Sequence, residues 1–357
     1  MKTFLIAFII LLILPLNVFA EGKKAHIDIA FTIDNNYPVF TLLAINSILK
    51  NNYSESDYTF YVVENNVTDK NKEMMRKFVE KNHQKIEFIN VDTYIIDQGK
   101  NFFKFSGRIT PIAFARILLP DLLPNLDKVL YLDSDILVTT DLKPLFETDI
   151  RNYNAGMALN IAQDNGALDL YKFKHGYYNS GVILMNLKKG RQENSPQKMI
   201  EFLRKNEAKF DFNKDAYDDF SPDQKKSYWL YPDQDLINIV WDGKIKKLPQ
   251  KWNNQCIQGN TSADPFEGGI IHYIGSLKPW EFMDYSGLYT YLYMDYWKES
   301  QFAPYIHYSV IQKLKKNASV IWKKKLNRYK HFACYVKKRN INLPIFYLFY
   351  TPAEEKH

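Results

Sequence analysis

The stretch Lys128-Val-Leu-Tyr-Leu-Asp-Ser-Asp135 decides how the chain is read. Val129–Leu132 is a continuous apolar run, which suits a strand buried on both faces of a sheet. The run stops abruptly on two carboxylates two residues apart. In sheets whose two faces are covered by helices, ligands bind at the carboxyl ends of the strands. Asp133 and Asp135 can there face one divalent cation, and hard oxygen ligands suit Mg²⁺ or Mn²⁺ bridging a diphosphate. The same pair serves equally well as turn and cap aspartates after a strand.

Working outward, the flanking pattern supplies the rest of such a sheet. His26–Ile33 alternates and then turns fully apolar, a buried strand that ends on the turn cluster Asp34-Asn35-Asn36. Pro38 opens an amphipathic helix through Leu42, Ile45, Ile48 and Leu49. Tyr58–Val63 reads as a strand, Asp69–Lys81 as a helix, Lys85–Val91 as a strand and Thr110–Leu119 as a helix. Strands alternating with helices at this spacing imply βαβ units and a parallel sheet. Beyond residue 150, Gly181–Met185, Lys244–Leu248 and Gly269–Ile274 read as strands, Gln234–Trp241 as a helix opened by Asp233, and Tyr217–Tyr231 as polar loop. No internal repeat, G-x-G-x-x-G or Walker pattern is present.

Two further clusters carry chemistry. In His272-Tyr-Ile-Gly-Ser-Leu-Lys-Pro-Trp280, a His at a strand end can supply a nitrogen ligand, while Gly275 and Lys278 can meet phosphate through a backbone N–H and an ammonium. A plain strand-to-turn boundary punctuated by Gly and Pro explains the same residues. Asp233-Gln234-Asp235 is either a catalytic group or an acidic first turn complementing a helix dipole.

Taken together and in order, the clusters are far more specific. The sequence resembles glycosyltransferase family 8, especially its bacterial lipopolysaccharide and lipooligosaccharide galactosyl- and glucosyltransferases, from about His26 to Trp280. The landmarks are Phe31-Thr-Ile-Asp-Asn-Asn-Tyr37, Ala115-Arg116, Lys128–Asp135, Tyr178-Asn-Ser-Gly181, Asp233-Gln-Asp235 and His272–Trp280. The resemblance implies a Rossmann-like, mostly parallel α/β sheet with helices on both faces, of the nucleotide-diphospho-sugar transferase type. It also implies a UDP-hexose donor, Mn²⁺ (or Mg²⁺) and retention of anomeric configuration. Carried over by motif, Asp34 and Asn36 would hold the uridine end, and Asp133, Asp135 and His272 the metal. Gly275 and Lys278 would meet the diphosphate. Arg116, Asn179, Asp233 and Gln234 would address the donor sugar, with Gln234 near the anomeric carbon. Three features depart from the family: Asn160 where relatives often carry an acid, Glu281 where they commonly carry His, and an export-like N-terminus. A nucleotide-sugar hydrolase and a non-catalytic sugar-nucleotide- or glycan-binding membrane protein are the rival readings.

Composition bounds the rest. With 46% hydrophobic and 24% charged residues in 357, the chain is an ordinary globular protein, neither collagen-like nor disordered. Two cysteines, Cys256 and Cys334, build no disulfide framework or Cys-based metal site. The net charge of +7 is unevenly spread: residues 301–357 hold 12 of the 47 Lys and Arg but two of the 40 acids. The preceding body is therefore slightly acidic, which excludes a nucleic-acid binder by charge. Lys2, the apolar run Phe4–Leu16 and Val18-Phe19-Ala20 match a secretory signal peptide, with a short membrane anchor as the alternative. Four N-x-S/T sequons, at Asn52, Asn66, Asn260 and Asn317, matter only in a eukaryotic host.

The expected organisation is thus a signal or anchor over 1–20, a catalytic domain over 25–300 and a basic, aromatic-rich tail over 301–357. In the tail Ile311, Leu314, Ala318, Trp322, Leu326, Tyr329, Ala333 and Val336 recur at helical spacing among lysines and arginines. That pattern is a basic amphipathic helix suited to an anionic membrane surface, the alternative being a helix packed back on the domain. The N-terminus points to export, whereas a UDP-sugar enzyme with such a tail suits the cytoplasmic face. Deleting residues 311–357 should abolish sedimentation with anionic liposomes while soluble donor turnover persists. Each basic residue near the surface is worth about 1 kcal/mol, so added salt should weaken binding of the full chain. Liposome binding that survives the deletion would move the contact elsewhere.

Overall fold

The computed structural model describes residues 24–91, 111–161, 173–206, 232–257, 260–261, 267–274, 278–280 and 288–300. Residues 1–20, the loop 217–231, Gly275, Glu281 and the tail 301–357 lie outside them. Among the described residues no helix is long and apolar enough to cross a membrane.

Strands β1 (His26–Asp34), β2 (Asp57–Asn65), β3 (Lys85–Asn90), β4 (Lys128–Leu132), β6 (Ala155–Met157), β7 (Val182–Asn186) and β8 (Ile245–Lys247) form a seven-stranded sheet in the order β3-β2-β1-β4-β7-β6-β8. All its neighbours run parallel except β7, which is antiparallel to β4 and to β6. The sheet is therefore mostly parallel, as expected, with one reversed strand. β1 follows β2 residue for residue from His26↔Asp57 to Asp34↔Asn65, and β4 lies on its other side with Ala30 opposite Tyr131.

Period-two alternation assigns each strand residue to a face. Ile27, Ile29, Phe31, Phe60, Val62, Leu130, Leu132, Val182 and Leu184 pack on one side. Helices α1 (Pro38–Lys50) and α2 (Asp69–Lys81) cover that side through Leu42, Ile45, Ile48, Met75, Phe78 and Val79. Pro38 takes the first-turn position of α1, where its missing N–H costs nothing. Thr68 caps α2, with Asp69 in its first turn and Lys81 in its last. Ala30, Val63, Val129, Tyr131, Ile183 and Met185 face the other side. There they meet the 3₁₀ segment Pro111–Leu118, α3 (Ser195–Lys205) and α4 (Pro232–Val240). The segment expected as a helix over Thr110–Leu119 is 3₁₀ over Pro111–Leu118 and passes into a single α-helical turn at Leu119–Leu122.

A second sheet, in the order β10-β9-β11-β5, joins β5 (Ile136–Val138), β9 (Asn254–Ile257), β10 (Asn260–Thr261) and β11 (Ile270–Tyr273). α5 (Leu288–Glu299) closes over it, with Tyr293, Met294 and Trp297 packed on Leu137, Ile271, Tyr273 and Trp280. β5 leaves the carboxyl end of β4 after three residues and pairs antiparallel with β11, His272 opposite Ile136. The two sheets are therefore hinged on Asp133-Ser134-Asp135.

Candidate active site

Alternation through the hinge sorts its side chains. Ser134 turns inward, where its Oγ lies 2.8 Å from Thr41 Oγ1 on α1. Asp133 and Asp135 face the opposite way. The main ladder extends one step past β4, as Asp133 N–H donates to Gly181 O at 2.8 Å. Tyr273 N–H donates to Asp135 O at 2.9 Å, tying the second sheet to the same turn. That bond carries His272 in: its Nε2 lies 3.3 Å from Asp135 Oδ1 and 3.7 Å from Asp133 Oδ2. The ring rests directly on Gly181, where an added Cβ would fall 2.0 Å from His272 Cε1. Only glycine admits the imidazole there. Ligand atoms of Asp133, Asp135 and His272 all lie within 4.8 Å of one another. Two carboxylates and one imidazole form a mixed oxygen–nitrogen set able to hold a divalent cation.

Cations from two other elements balance these acids. Arg116, at the end of the 3₁₀ segment, lies 3.1 Å from Asp133 Oδ1 and 3.2 Å from Asp233 Oδ2. It also donates to Ala113 O, Ser180 O and Ser180 Oγ at 2.9–3.1 Å, and stacks 4.8 Å over the Tyr131 ring. Burial opposes the Arg116 charge, but Asp133, Tyr131 and Asp233 together hold its pKa above the ordinary arginine value. Lys278 Nζ donates to Asp135 Oδ2 and, at 2.8 Å, to Tyr273 O. Burial would raise the Asp135 pKa, yet Lys278 and His272 outweigh it and hold the carboxyl below the usual range. Burial prevails at Asp233, whose pKa is raised although Arg116 pulls it down. The site thus holds an ionised carboxylate beside one more easily protonated.

The amides converge too. Gln234, in the first turn of α4, accepts from Ser180 N–H at 3.0 Å and donates to Tyr177 OH at 2.9 Å; Tyr177 in turn donates to Asp235. Asn179 Oδ1 accepts from Gly181 N–H at 3.0 Å and from Asn253 Nδ2 at 2.8 Å, while its Nδ2 donates to Asn160 Oδ1 at 3.3 Å. Both acceptor sites of Asn179 are used, so a ligand would be met by its remaining N–H.

Arg116, Asp133, Asp135, Asn179, Asp233, Gln234, His272 and Lys278, singled out in the sequence, therefore form one contiguous network. Asp34 and Asn36 stand apart from it at the carboxyl end of β1, in the strand beside β4. Asn36 N–H donates to Asp34 Oδ1 at 2.8 Å with Asn36 exposed, while Asn35 between them accepts from Thr68 and Asn71 at the start of α2. Gly275 lies outside the described residues. Sequence reasoning missed Tyr177 and Asn253 and gave Ser180 no role of its own. Tyr177 adjoins the Tyr178-Asn-Ser-Gly181 landmark, which contains Ser180, whereas Asn253 lies outside every motif singled out. Arg116→Met should strand Asp133 and Asp233 without their shared cation, lowering unfolding free energy in urea by about 3–5 kcal/mol. Adding Asp233→Asn should recover part of that loss. An unchanged midpoint for the single variant would contradict the pairing.

Known proteins resemble this chain over most of its length. The profile of glycosyl transferase family 8 matches residues 28–284. General stress protein A of Bacillus subtilis (strain 168) is 25% identical over 277 residues, covering 72% of this chain and 88% of that protein. A lipopolysaccharide 1,2-glucosyltransferase of Escherichia coli is 26% identical over 278 residues, covering 72% and 74%. The structure of the galactosyltransferase LgtC in complex with donor and acceptor sugar analogues aligns with a TM-score of 0.60 at 23% identity, over 76% of this chain and 95% of LgtC. At that identity the likeness is one of fold.

Proposed function

Because the chain belongs to glycosyl transferase family 8, we propose that it moves galactose or glucose from a UDP-sugar to a glycan or glycolipid acceptor such as lipopolysaccharide core. The observation that carries this reading is the convergence of Asp133, Asp135 and His272 at the end of β4, with Lys278 and Arg116 beside them. In it the three ligands hold Mn²⁺ or Mg²⁺, which when bound neutralises charge growing on the departing diphosphate. Lys278 supplies a second positive charge to the same leaving group. Gly275 adds a backbone N–H, and Asp34 and Asn36 receive the uridine end. Arg116, Asn179, Asp233 and Gln234 orient the hexose, Arg116 being fixed for that task by its bonds to Ser180 and Ala113.

The anomeric carbon loses its bond to the phosphate oxygen and gains one to the acceptor hydroxyl oxygen. The acceptor's proton passes to the departing phosphate on the same face, so configuration is retained. Same-face exchange suits this site better than double displacement. Gln234 is a neutral amide whose Oε1 already accepts from Ser180 N–H, and residue 160 is Asn rather than an acid.

For location, the proposal is membrane association, with residues 1–20 leading the chain into the export pathway and the basic tail resting on anionic lipid. The cytoplasmic face is the alternative. Residues 1–30 fused to a reporter active only after translocation should give activity. A silent reporter, with Met1–Ala20 retained, would put the enzyme on the cytoplasmic face.

A screen of UDP-hexoses for UDP release, with and without glycan acceptor, should find one donor turned over much faster with acceptor. EDTA should abolish that turnover. Asp135→Asn should lose metal-dependent UDP binding while keeping the fold, because a hard anionic ligand becomes a weaker neutral one. Full turnover in excess EDTA would sink the metal assignment; identical rates without acceptor would identify a hydrolase.

A further inference from the structure

Asn253 ends the 3₁₀ turn Gln250–Asn253 and is fully buried, as is Asn254 beside it. Its carboxamide bridges two site residues: Nδ2 donates to Asn179 Oδ1 at 2.8 Å, and Oδ1 lies 3.0 Å from His272 Nδ1. The direction of this chain is set at its far end by a group that cannot reverse. Gly181 N–H is a backbone donor, so the Asn179 atom 3.0 Å from it must be the carbonyl oxygen. The Asn253 atom facing that oxygen must then be the NH₂ group, and its other atom the carbonyl oxygen, which accepts only. His272 Nδ1 consequently carries a hydrogen. In the neutral ring the lone pair is then at Nε2, the nitrogen that faces Asp133 and Asp135.

We infer that Asn253 is a positioning residue that holds His272 as its Nδ1–H tautomer, presenting the Nε2 lone pair to a divalent cation shared with Asp133 and Asp135. This inference rests on the metal reading proposed above. Metal-binding histidines ordinarily donate their second nitrogen to a carboxylate, a carbonyl or water, and loss of such a partner costs roughly 10- to 100-fold in metal affinity or activity. A neutral carboxamide does the work here, and its own orientation comes from a residue assigned to the donor sugar. Two contacts fix the ring. Gly181 admits it by lacking a Cβ, and Asn253 sets its rotation and proton. Asp133, Asn179 and His272 are thereby tied to the same glycine, through its O, its N–H and its missing side chain.

The test is a Mn²⁺ titration followed by electron paramagnetic resonance on the wild-type chain, Asp135→Asn and Asn253→Leu, with no sugar donor present. Wild type should bind, Asp135→Asn should lose binding, and Asn253→Leu should bind roughly 10- to 100-fold more weakly although every ligand atom remains. Asn253→Leu binding as tightly as wild type, with Asp135→Asn defective, would overturn the positioning role and leave the metal reading intact. Asp135→Asn binding as tightly as wild type would overturn both. A second measurement does not depend on how the buried substitution folds. In wild-type protein with ¹⁵N-labelled histidine, saturated with Mg²⁺ and UDP, the His272 signals (assigned by their loss in His272→Gln) should show a hydrogen on Nδ1 and none on Nε2. The reverse pattern would overturn the inference.

Discussion

Two carboxylates pressed into the carboxyl end of a buried strand are the constraint on which the rest of this structure turns. Charges so placed are tolerable only when cations or hydrogen-bond donors meet them. Asp133 and Asp135 draw theirs from two distant stretches of chain, Arg116 before β4 and Lys278 at the close of the second sheet, and Asp133 also accepts from Tyr131 OH within β4. The short strand β5 makes this possible. By leaving β4 immediately after Asp135 and pairing with β11, it lays His272 against the acids that a single sheet would have left facing solvent. In the proposed reading function and folding share a contact, since Lys278, which meets Asp135, is also the cation assigned to the diphosphate.

The first half of the main sheet was legible because β1, β2 and β4 are largely buried apolar strands of five to nine residues. β1, α1, β2, α2, β3 and β4 fall where apolar periodicity sets them, within a residue or two at the ends. What escaped was short or reversed. β5 and β6 have three residues each, too few for alternation to register. The reversal of β7 reflects pairing partners, and its apolar run Val182–Met185 reads the same in either direction. Within the 3₁₀ segment Pro111–Leu118, Arg116 reaches back to Ala113 while pinned to Ser180 and Asp133, contacts that local periodicity does not reveal.

The candidate site was legible in a different sense. Its charged members announced themselves by residue type and position: the acids after an apolar strand, the His and Lys around a strand end, Asp233 opening a helix. Asn253 gave no such signal. Lys251-Trp-Asn-Asn254 looks like an ordinary polar turn, and its worth comes from contacts to residues 74 and 19 positions away. Amides orient charged groups without being charged, so sequence patterns built on charge pass over them. Gln234 and Asn179 came from the motif resemblance instead, and their hydrogen-bonding capacity is largely spent on Ser180, Tyr177, Gly181 and Asn253. A network so fully committed changes little when a ligand arrives, which is the preorganisation that charge stabilisation requires.

The central claim is that a divalent cation and a nucleotide diphosphate share the end of β4. A crystal structure of the protein with Mn²⁺ and UDP tests it most directly, because manganese can be located by its anomalous scattering. The account predicts one ion bound to Asp133, Asp135 and His272 Nε2 and to the diphosphate, with Lys278 drawn towards the phosphates and Asn253 still on His272 Nδ1. An ion bound away from these three side chains, or UDP seated with no metal between it and Asp135, would contradict it.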